Sequence, residues 1–156
     1  MSPELMDDMI AEAVRHMGRR LDGFTLDIRN PGSLLFVQAD ARLIVQVIIN
    51  LLDNAVKYAP AGTGIVIGSR EEGGNVMVSV ADEGPGIPED QKPHVFDLFW
   101  SGNNLSGDSR RGLGLGLALC QSIMKAHGGR ISVRDNEPRG TVFELTFPKA
   151  EVSLDE

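Results

Sequence analysis

Three groups of residues have the types and spacing to hold a flat, charged ligand. The first is Asn50, Asn54, Lys57 and Tyr58. Spacings of i, i+4, i+7 and i+8 put them on neighbouring positions of one helix side, so two carboxamides, an amine and a phenol form one wall. A solvated helix face could have the same composition. The second group is Asp82-Glu-Gly84-Pro-Gly86-Ile87. A carboxylate accepts hydrogen bonds, and glycines let the backbone approach a ligand closely, which suits recognition of an amino group on a planar base. An Asp-led turn is the plainer reading. The third group is Gly112-Leu113-Gly114-Leu115-Gly116-Leu117, running into apolar positions Leu115, Leu119, Ile123 and Ala126 at near-helical spacing. A glycine turn at a helix N-terminus presents free N–H groups and the positive end of the macrodipole. Its natural partner is an anion, and phosphate is the expected one; a tight turn with close helix packing would use the same glycines. Arg110 and Arg111 stand just before it.

Two common phosphate-binding patterns do not apply. A P-loop needs Lys then Ser/Thr after its last glycine, where Leu117 and Ala118 stand. A dinucleotide fingerprint needs a strand directly before the glycines, and 101–111 is polar and rich in Gly and Ser. With a net charge of −7 over 156 residues, no broad basic field exists to attract nucleic acid or an anionic membrane. A phosphate ligand must therefore rely on local N–H groups and a metal. The single Cys120 precludes an internal disulfide and suits a reducing compartment. No apolar run reaches the length of a membrane span, and no signal peptide opens the chain. Three scattered histidines and one cysteine contain no close pair of zinc ligands.

The elements that must position these residues follow from periodicity. Leu5, Met9, Ala13 and Met17 predict a helix over 4–18, ended by Gly18. Residues 24–28 and 34–39 read as two strands with Asn30-Pro31-Gly32 as the turn between them. Asp40 caps a helix over 41–59, whose core stripe is Ile44, Ile48, Leu51, Leu52 and Ala55. Residues 65–70 and 76–81 alternate as a hairpin. A short helix with a hydrophobic knot is expected over 88–99. Residues 101–111 read as a mobile loop over the glycine turn. A helix over 113–127, strands over 130–134 and 141–147, and a loose acidic tail over 150–156 complete the chain. Hairpins between helices imply one α/β domain over 1–149, a two-layer sandwich with a mixed sheet and helices on one face.

Taken together and in this order, the motifs resemble the ATP-binding catalytic domain of sensor histidine kinases, within the wider family of DNA gyrase, heat-shock chaperone and mismatch-repair ATPases. Asn50-Leu-Leu-Asp-Asn54-Ala-Val-Lys57-Tyr58 resembles the N box, Asp82-Glu-Gly84-Pro-Gly86-Ile the G1 box, and Phe96-Asp-Leu-Phe99 the F box. Gly112-Leu-Gly114-Leu-Gly116-Leu resembles the G2 box and Gly140-Thr141-Val-Phe143 the closing glycine motif. The run Phe-Asp-Leu-Phe-Trp-Ser-Gly-Asn is most similar to the potassium-responsive sensor kinases. The resemblance implies ATP and Mg²⁺ as ligands. It implies that Asp82 accepts from the adenine amine, with Gly84, Gly86, Ile87 and Thr141 around the base. Asn54 would hold Mg²⁺, Asn50 would support that metal or its waters, Lys57 would reach a phosphate, and Tyr58 would pack on the base. The backbone of 112–117 would cradle the β- and γ-phosphates, with Arg110 or Arg111 as a further donor. Leu98 and Ser101 stand where many F boxes carry arginine.

At position 50, the gyrase and chaperone branch places a glutamate that polarises water. Asparagine cannot act as a general base, so transfer to an external acceptor is favoured over hydrolysis. None of His16, His94 and His127 has the acidic neighbour typical of an acceptor histidine, and His127 looks like a helix-ending cap. The resemblance thus implies a cytoplasmic fragment of a membrane-anchored bacterial sensor. Its partner would be a helical dimerisation domain carrying the acceptor histidine, with a response regulator reached indirectly. An anti-sigma-type serine kinase and a non-catalytic nucleotide-binding module are the alternatives.

Overall fold

The computed structural model describes residues 1–97 and 115–151, Leu115 by its backbone alone. The chain opens with β1 (Ser2–Leu5) and α1 (Met6–Met17), followed by β2 (Thr25–Arg29) and β3 (Phe36–Ala39). Next come α2 (Ala41–Tyr58), β4 (Gly64–Glu72) and β5 (Asn75–Ala81). The last described elements are α3 (Leu115–Ala126), β6 (Arg130–Asp135) and β7 (Thr141–Pro148). The main sheet has the order β2-β4-β5-β7-β6 and is mixed: β2 runs parallel to β4, and every other pair is antiparallel. The three helices cover one face, giving the expected two-layer sandwich.

The hydrophobic stripe of α2 explains that layer. Ile44, Ile48, Leu51, Leu52 and Ala55 are all buried, against Ile65, Ile67, Val78, Leu145 and Phe147 from the sheet within one core. Full burial of each large aliphatic side chain contributes about 1.5–3 kcal/mol. Asp40 caps α2, its carboxylate accepting from the Arg42 N–H at 3.1 Å. At the far end of α3, buried His127 accepts from the Asp40 N–H through Nε2 (3.1 Å), while Nδ1 faces the Ile123 carbonyl (2.8 Å). A neutral ring protonated on Nδ1 satisfies both contacts. His127 therefore caps α3 and ties its C-terminus to the start of α2.

Four local expectations change. The first helix starts at Met6, because residues 2–5 pair antiparallel with β3 in a separate two-stranded sheet. Leu5 matches the helical period yet is half-buried in that strand. Second, β2 and β3 do not form a hairpin: β2 joins the main sheet beside β4, and β3 turns to β1. Third, the described part of 88–99 holds only a 3₁₀ turn, Lys92–His94. Pro93 would fall inside the expected helix, where it removes an N–H that an α-helix needs. Fourth, Leu117 points into the core rather than to a ligand, being 7% exposed, so only its backbone is available to an anion. The end of β7 is pinned, with the Ala150 N–H donating to the Phe36 carbonyl at 2.9 Å. The remainder of the expected tail, 152–156, lies outside the described residues.

Cys120 is fully buried on α3, and burial pushes its thiol up to about 12. The thiolate is the reactive form. Native protein at pH 8 is therefore expected to resist iodoacetamide, and protein unfolded in guanidinium to take up one equivalent. Mass spectrometry before and after unfolding checks this, and rapid labelling of the native chain would contradict the burial.

Candidate functional site

A cleft, partly open to solvent, lies where the C-terminal half of α2 meets the ends of β5 and β7. It is lined by Asn54, Tyr58, Asp82, Pro85, Gly86, Ile87, Thr141 and Phe143. Six of these, all but Pro85 and Phe143, belong to the residues singled out by spacing or motif. They come from three sequence regions, so only the fold brings them together.

Asp82 sits at the floor, at the point where β5 ends. It is 5% exposed. Its backbone N–H donates to the Thr141 carbonyl at 2.9 Å, and its Oδ1 accepts from the Gly84 N–H at 2.8 Å. Burial raises the carboxyl above the ordinary carboxylate range, and the backbone amides of Gly84 and Thr141 partly offset this. A carboxylate offers about four acceptor positions, so capacity remains on the side that lines the cleft. Because the folded state holds the proton more tightly than the unfolded chain, this group favours folding most at acid pH. That contribution is lost as pH rises from 3.8 toward the raised value. Near neutrality the ionised carboxylate is thus a cost that a ligand donor would relieve.

The turn after Asp82 is shaped by glycines. A Cβ at Gly84 would stand 3.0 Å from Asp82 Oδ1 and 3.3 Å from the Tyr58 carbonyl. Gly140 is more tightly constrained: its φ is +112°, and a Cβ would overlap the backbone carbonyl of Asp82. The β6–β7 connection thus lies directly against the Asp82 backbone.

Asn54, Lys57 and Tyr58 project from the last turns of α2. Among the described residues nothing bonds the Asn54 carboxamide, which lines the cleft. The Lys57 ammonium lies 5.2 Å from the Tyr58 ring centroid, beside the cleft rather than on its wall. Asn50 stands one turn earlier and faces α3. Its Nδ2 is 3.5 Å from the Gly116 carbonyl and 3.7 Å from Cys120 Sγ, and its Oδ1 accepts from Gln46 at 3.0 Å. Asn50 therefore bridges α2 to the start of α3. A Cβ at Gly116 would meet only the Asn50 carboxamide among the described residues, at an ordinary 3.9 Å. The packing around it does not demand glycine there. Arg110, Arg111, Gly112, Leu113 and Gly114 lie outside the described residues, as do Leu98, Phe99 and the loop over 101–111.

Sequence reasoning missed the outer support. Phe143, the last residue of the closing glycine motif, lines the cleft and packs edge-on against Phe96, centroids 6.2 Å apart. Alternation along β7 signals its inward direction. Asn136, Arg139 and Lys92 hold the turn from behind and carried no sequence signal at all.

The profile of the histidine kinase-, DNA gyrase B- and HSP90-like ATPases matches residues 39–151. This chain belongs to that family. Within it, the chain is of the sensor-kinase type. It is 41% identical over 146 residues to the sensor protein KdpD of Clostridium acetobutylicum, covering 94% of this chain and 16% of that protein. It is 36% identical to KdpD of Escherichia coli K12, with 92% and 16% covered. The chain therefore spans about a sixth of those relatives. Among solved structures, the catalytic domain of histidine kinase ThkA superposes with a TM-score of 0.83 at 30% identity, covering 95% of both chains. The mycobacterial sensor histidine kinase MprB gives 0.83 at 26%, covering 97% of this chain and 99% of that one. Membership makes this an ATP-binding domain. The cleft has an acceptor on its floor and Tyr58, Ile87 and Phe143 on its walls, with Gly86 in its lining.

Asp82→Asn is a sharp test of that floor. The side-chain oxygen must stay on the Gly84 N–H, so the new NH₂ would face the cleft as a donor. A base amine would then meet a donor instead of an acceptor. Loss of a hydrogen bond to a charged group is worth about 1.5–3 kcal/mol, so ADP should bind roughly ten- to a hundredfold more weakly. Calorimetric titration reads this directly, and affinity within about twofold of wild type would remove Asp82 from base recognition.

Proposed function

We propose that this chain is the phosphoryl-donating domain of a sensor histidine kinase. It binds Mg-ATP and passes the γ-phosphoryl group to a histidine on a separate helical domain of its parent protein. The observation that carries the reading is Asp82: buried, anchored by Gly84, and aimed into a cleft whose walls can hold a purine. Asp82 accepts from the base amine, while Tyr58, Ile87 and Phe143 flank the ring. The unbonded Asn54 carboxamide can supply one oxygen to Mg²⁺, the remainder coming from phosphates and water. Bound Mg²⁺ would neutralise charge on the β- and γ-phosphates. Lys57 stands at the same end of α2 to meet a phosphate, and the resemblance assigns the N–H donors for the other phosphates to the glycine motif over 112–117. Asn50 supports this arrangement by holding the start of α3 against α2. It has no basic oxygen to deprotonate water, so transfer to an acceptor is favoured over hydrolysis.

The chain's own histidines do not suit the acceptor role. His127 is buried as a cap, and His94 pairs with Asp97 at 3.0 Å. The parent is a membrane-anchored sensor, as KdpD-like relatives suggest, with a response regulator receiving the phosphate from the acceptor histidine. A solved complex of ThkA with the response regulator TrrA supports that order of partners. The fragment itself contains no described helix long and apolar enough to cross a membrane. The test is γ-labelled ATP with this chain, the helical domain of its parent, and both together, followed by an acid wash. Acid-labile label should appear on the helical domain only in the mixture. Label on this chain alone, or acid-stable label on a serine of the partner, would overturn the reading.

A further inference from the structure

The turn from Asp82 to Ile87 leaves the sheet after Asp82, yet three of its carbonyls are held by side chains from behind. Asn136 Nδ2 donates to the Asp82 carbonyl at 2.8 Å, Arg139 Nε to the Gly84 carbonyl at 3.1 Å, and Lys92 Nζ to the Ile87 carbonyl at 2.9 Å. Lys92 is itself fixed by Asp135 at 3.0 Å and Glu89 at 2.6 Å. The Asn136 N–H donates to the Gly140 carbonyl at 2.9 Å, closing the connection on itself. Two of the donors, and an anchor of the third, therefore come from the one stretch 135–139, the end of β6 and its connection to β7. None of these side chains lines the cleft.

We propose that the β6–β7 connection is a clamp that positions the base-recognising turn, with Asn136 as its principal positioning residue. Hydrogen bonds weaken steeply with distance and angle. A turn free to shift by an ångström would lose the alignment between Asp82 and a base amine. Holding it before the ligand arrives removes an ordering cost from binding. Asn136 is the best placed of the three, because it grips the backbone of the residue that makes the contact. Its side chain is also the more buried, Asn136 being half-buried and Arg139 exposed.

This inference rests on the proposed nucleotide site, and the experiment separates the two. Wild type, Asn136→Ala and Lys92→Met are titrated with ADP and with purine riboside 5′-diphosphate, which lacks the exocyclic amine. Circular dichroism melts accompany each variant. Wild type should prefer ADP. Asn136→Ala should bind ADP about three- to tenfold more weakly, the scale of one neutral hydrogen bond. Its affinity for the amine-free nucleotide should stay within twofold, so the preference for ADP shrinks. Lys92→Met should show the same selective loss, and carries the test if Asn136→Ala is unfolded at the assay temperature. Equal losses on both nucleotides would reduce the clamp to general structural support and overturn the proposal, as would ADP affinity within twofold of wild type. A wild type that binds neither nucleotide, or binds both equally, would overturn the base site itself.

Discussion

Replacing Asn54 with alanine is expected to abolish the gain in nucleotide affinity that Mg²⁺ confers, and to lower phosphoryl transfer by about a hundredfold or more. The residue is on the last turns of α2, lines the cleft, and has no bonding partner among the described residues. A carboxamide left unbonded at the rim of a polar cleft has an oxygen available for a cation. Phosphoryl transfer involves little covalent work by the protein, so catalysis depends on placement and on neutralising charge. Losing one such stabilising contact typically costs two to three orders of magnitude in rate, about 3–4 kcal/mol. The fold should survive, because the side chain is only partly buried and lies beside the core stripe of α2 rather than in it. The check is calorimetric titration of ADP with and without Mg²⁺, beside labelled transfer to the helical domain. If Asn54→Ala retains the Mg²⁺ dependence of wild type, the metal is held elsewhere.

Gly140→Ala is expected to be strongly destabilising for a single added methyl. Its φ of +112° is a region that residues with a Cβ rarely adopt, and the new Cβ would overlap the Asp82 carbonyl. Strain of this kind costs about 1–3 kcal/mol on its own, and forcing backbones apart in a packed region adds about as much again. A loss of about 3 kcal/mol or more is a large share of the usual 5–15 kcal/mol of a domain. It should lower the melting temperature by roughly 6–12 °C for a domain of this size. The same displacement would carry Asp82 away from the base, so ADP affinity should fall even at temperatures where the variant is folded. Differential scanning calorimetry and titration at low temperature measure the two effects separately. A melting temperature within about 2 °C of wild type would mean that the β6–β7 connection yields easily, and would weaken the view of this turn as rigid.

Local patterns determined much of this protein in advance. The apolar stripe of α2 and its Asp40 cap, the β4–β5 hairpin closed by Gly73 and Gly74, and the alternation of β7 are written at spacings of 3.6 and 2 residues. Such signals are read over a few neighbours, so they survive without knowledge of the fold. Asn54, Tyr58, Asp82 and Gly86 could be picked out because polar or glycine positions interrupt those apolar patterns, whereas Ile87 and Thr141 followed only from the resemblance of their motifs to the family's boxes.

What tertiary structure alone decided is where each pattern is spent. Whether β2 pairs with β3 or with β4 depends on which edge the sheet leaves open, and both registers satisfy the same apolar alternation. The first residues could extend α1 or pair as β1, and the free edge of β3 settled it in favour of the strand. Leu117 was drawn into the core by the packing of α3 on α2, although its place in a glycine run pointed to a ligand. The clamp of Asn136, Arg139 and Lys92 had no periodicity to betray it. Each donates to a backbone carbonyl five to fifty-five residues away, and a carbonyl is the same in every residue. Only when the chain end of β5 met the β6–β7 connection did those side chains acquire partners, and with them a role.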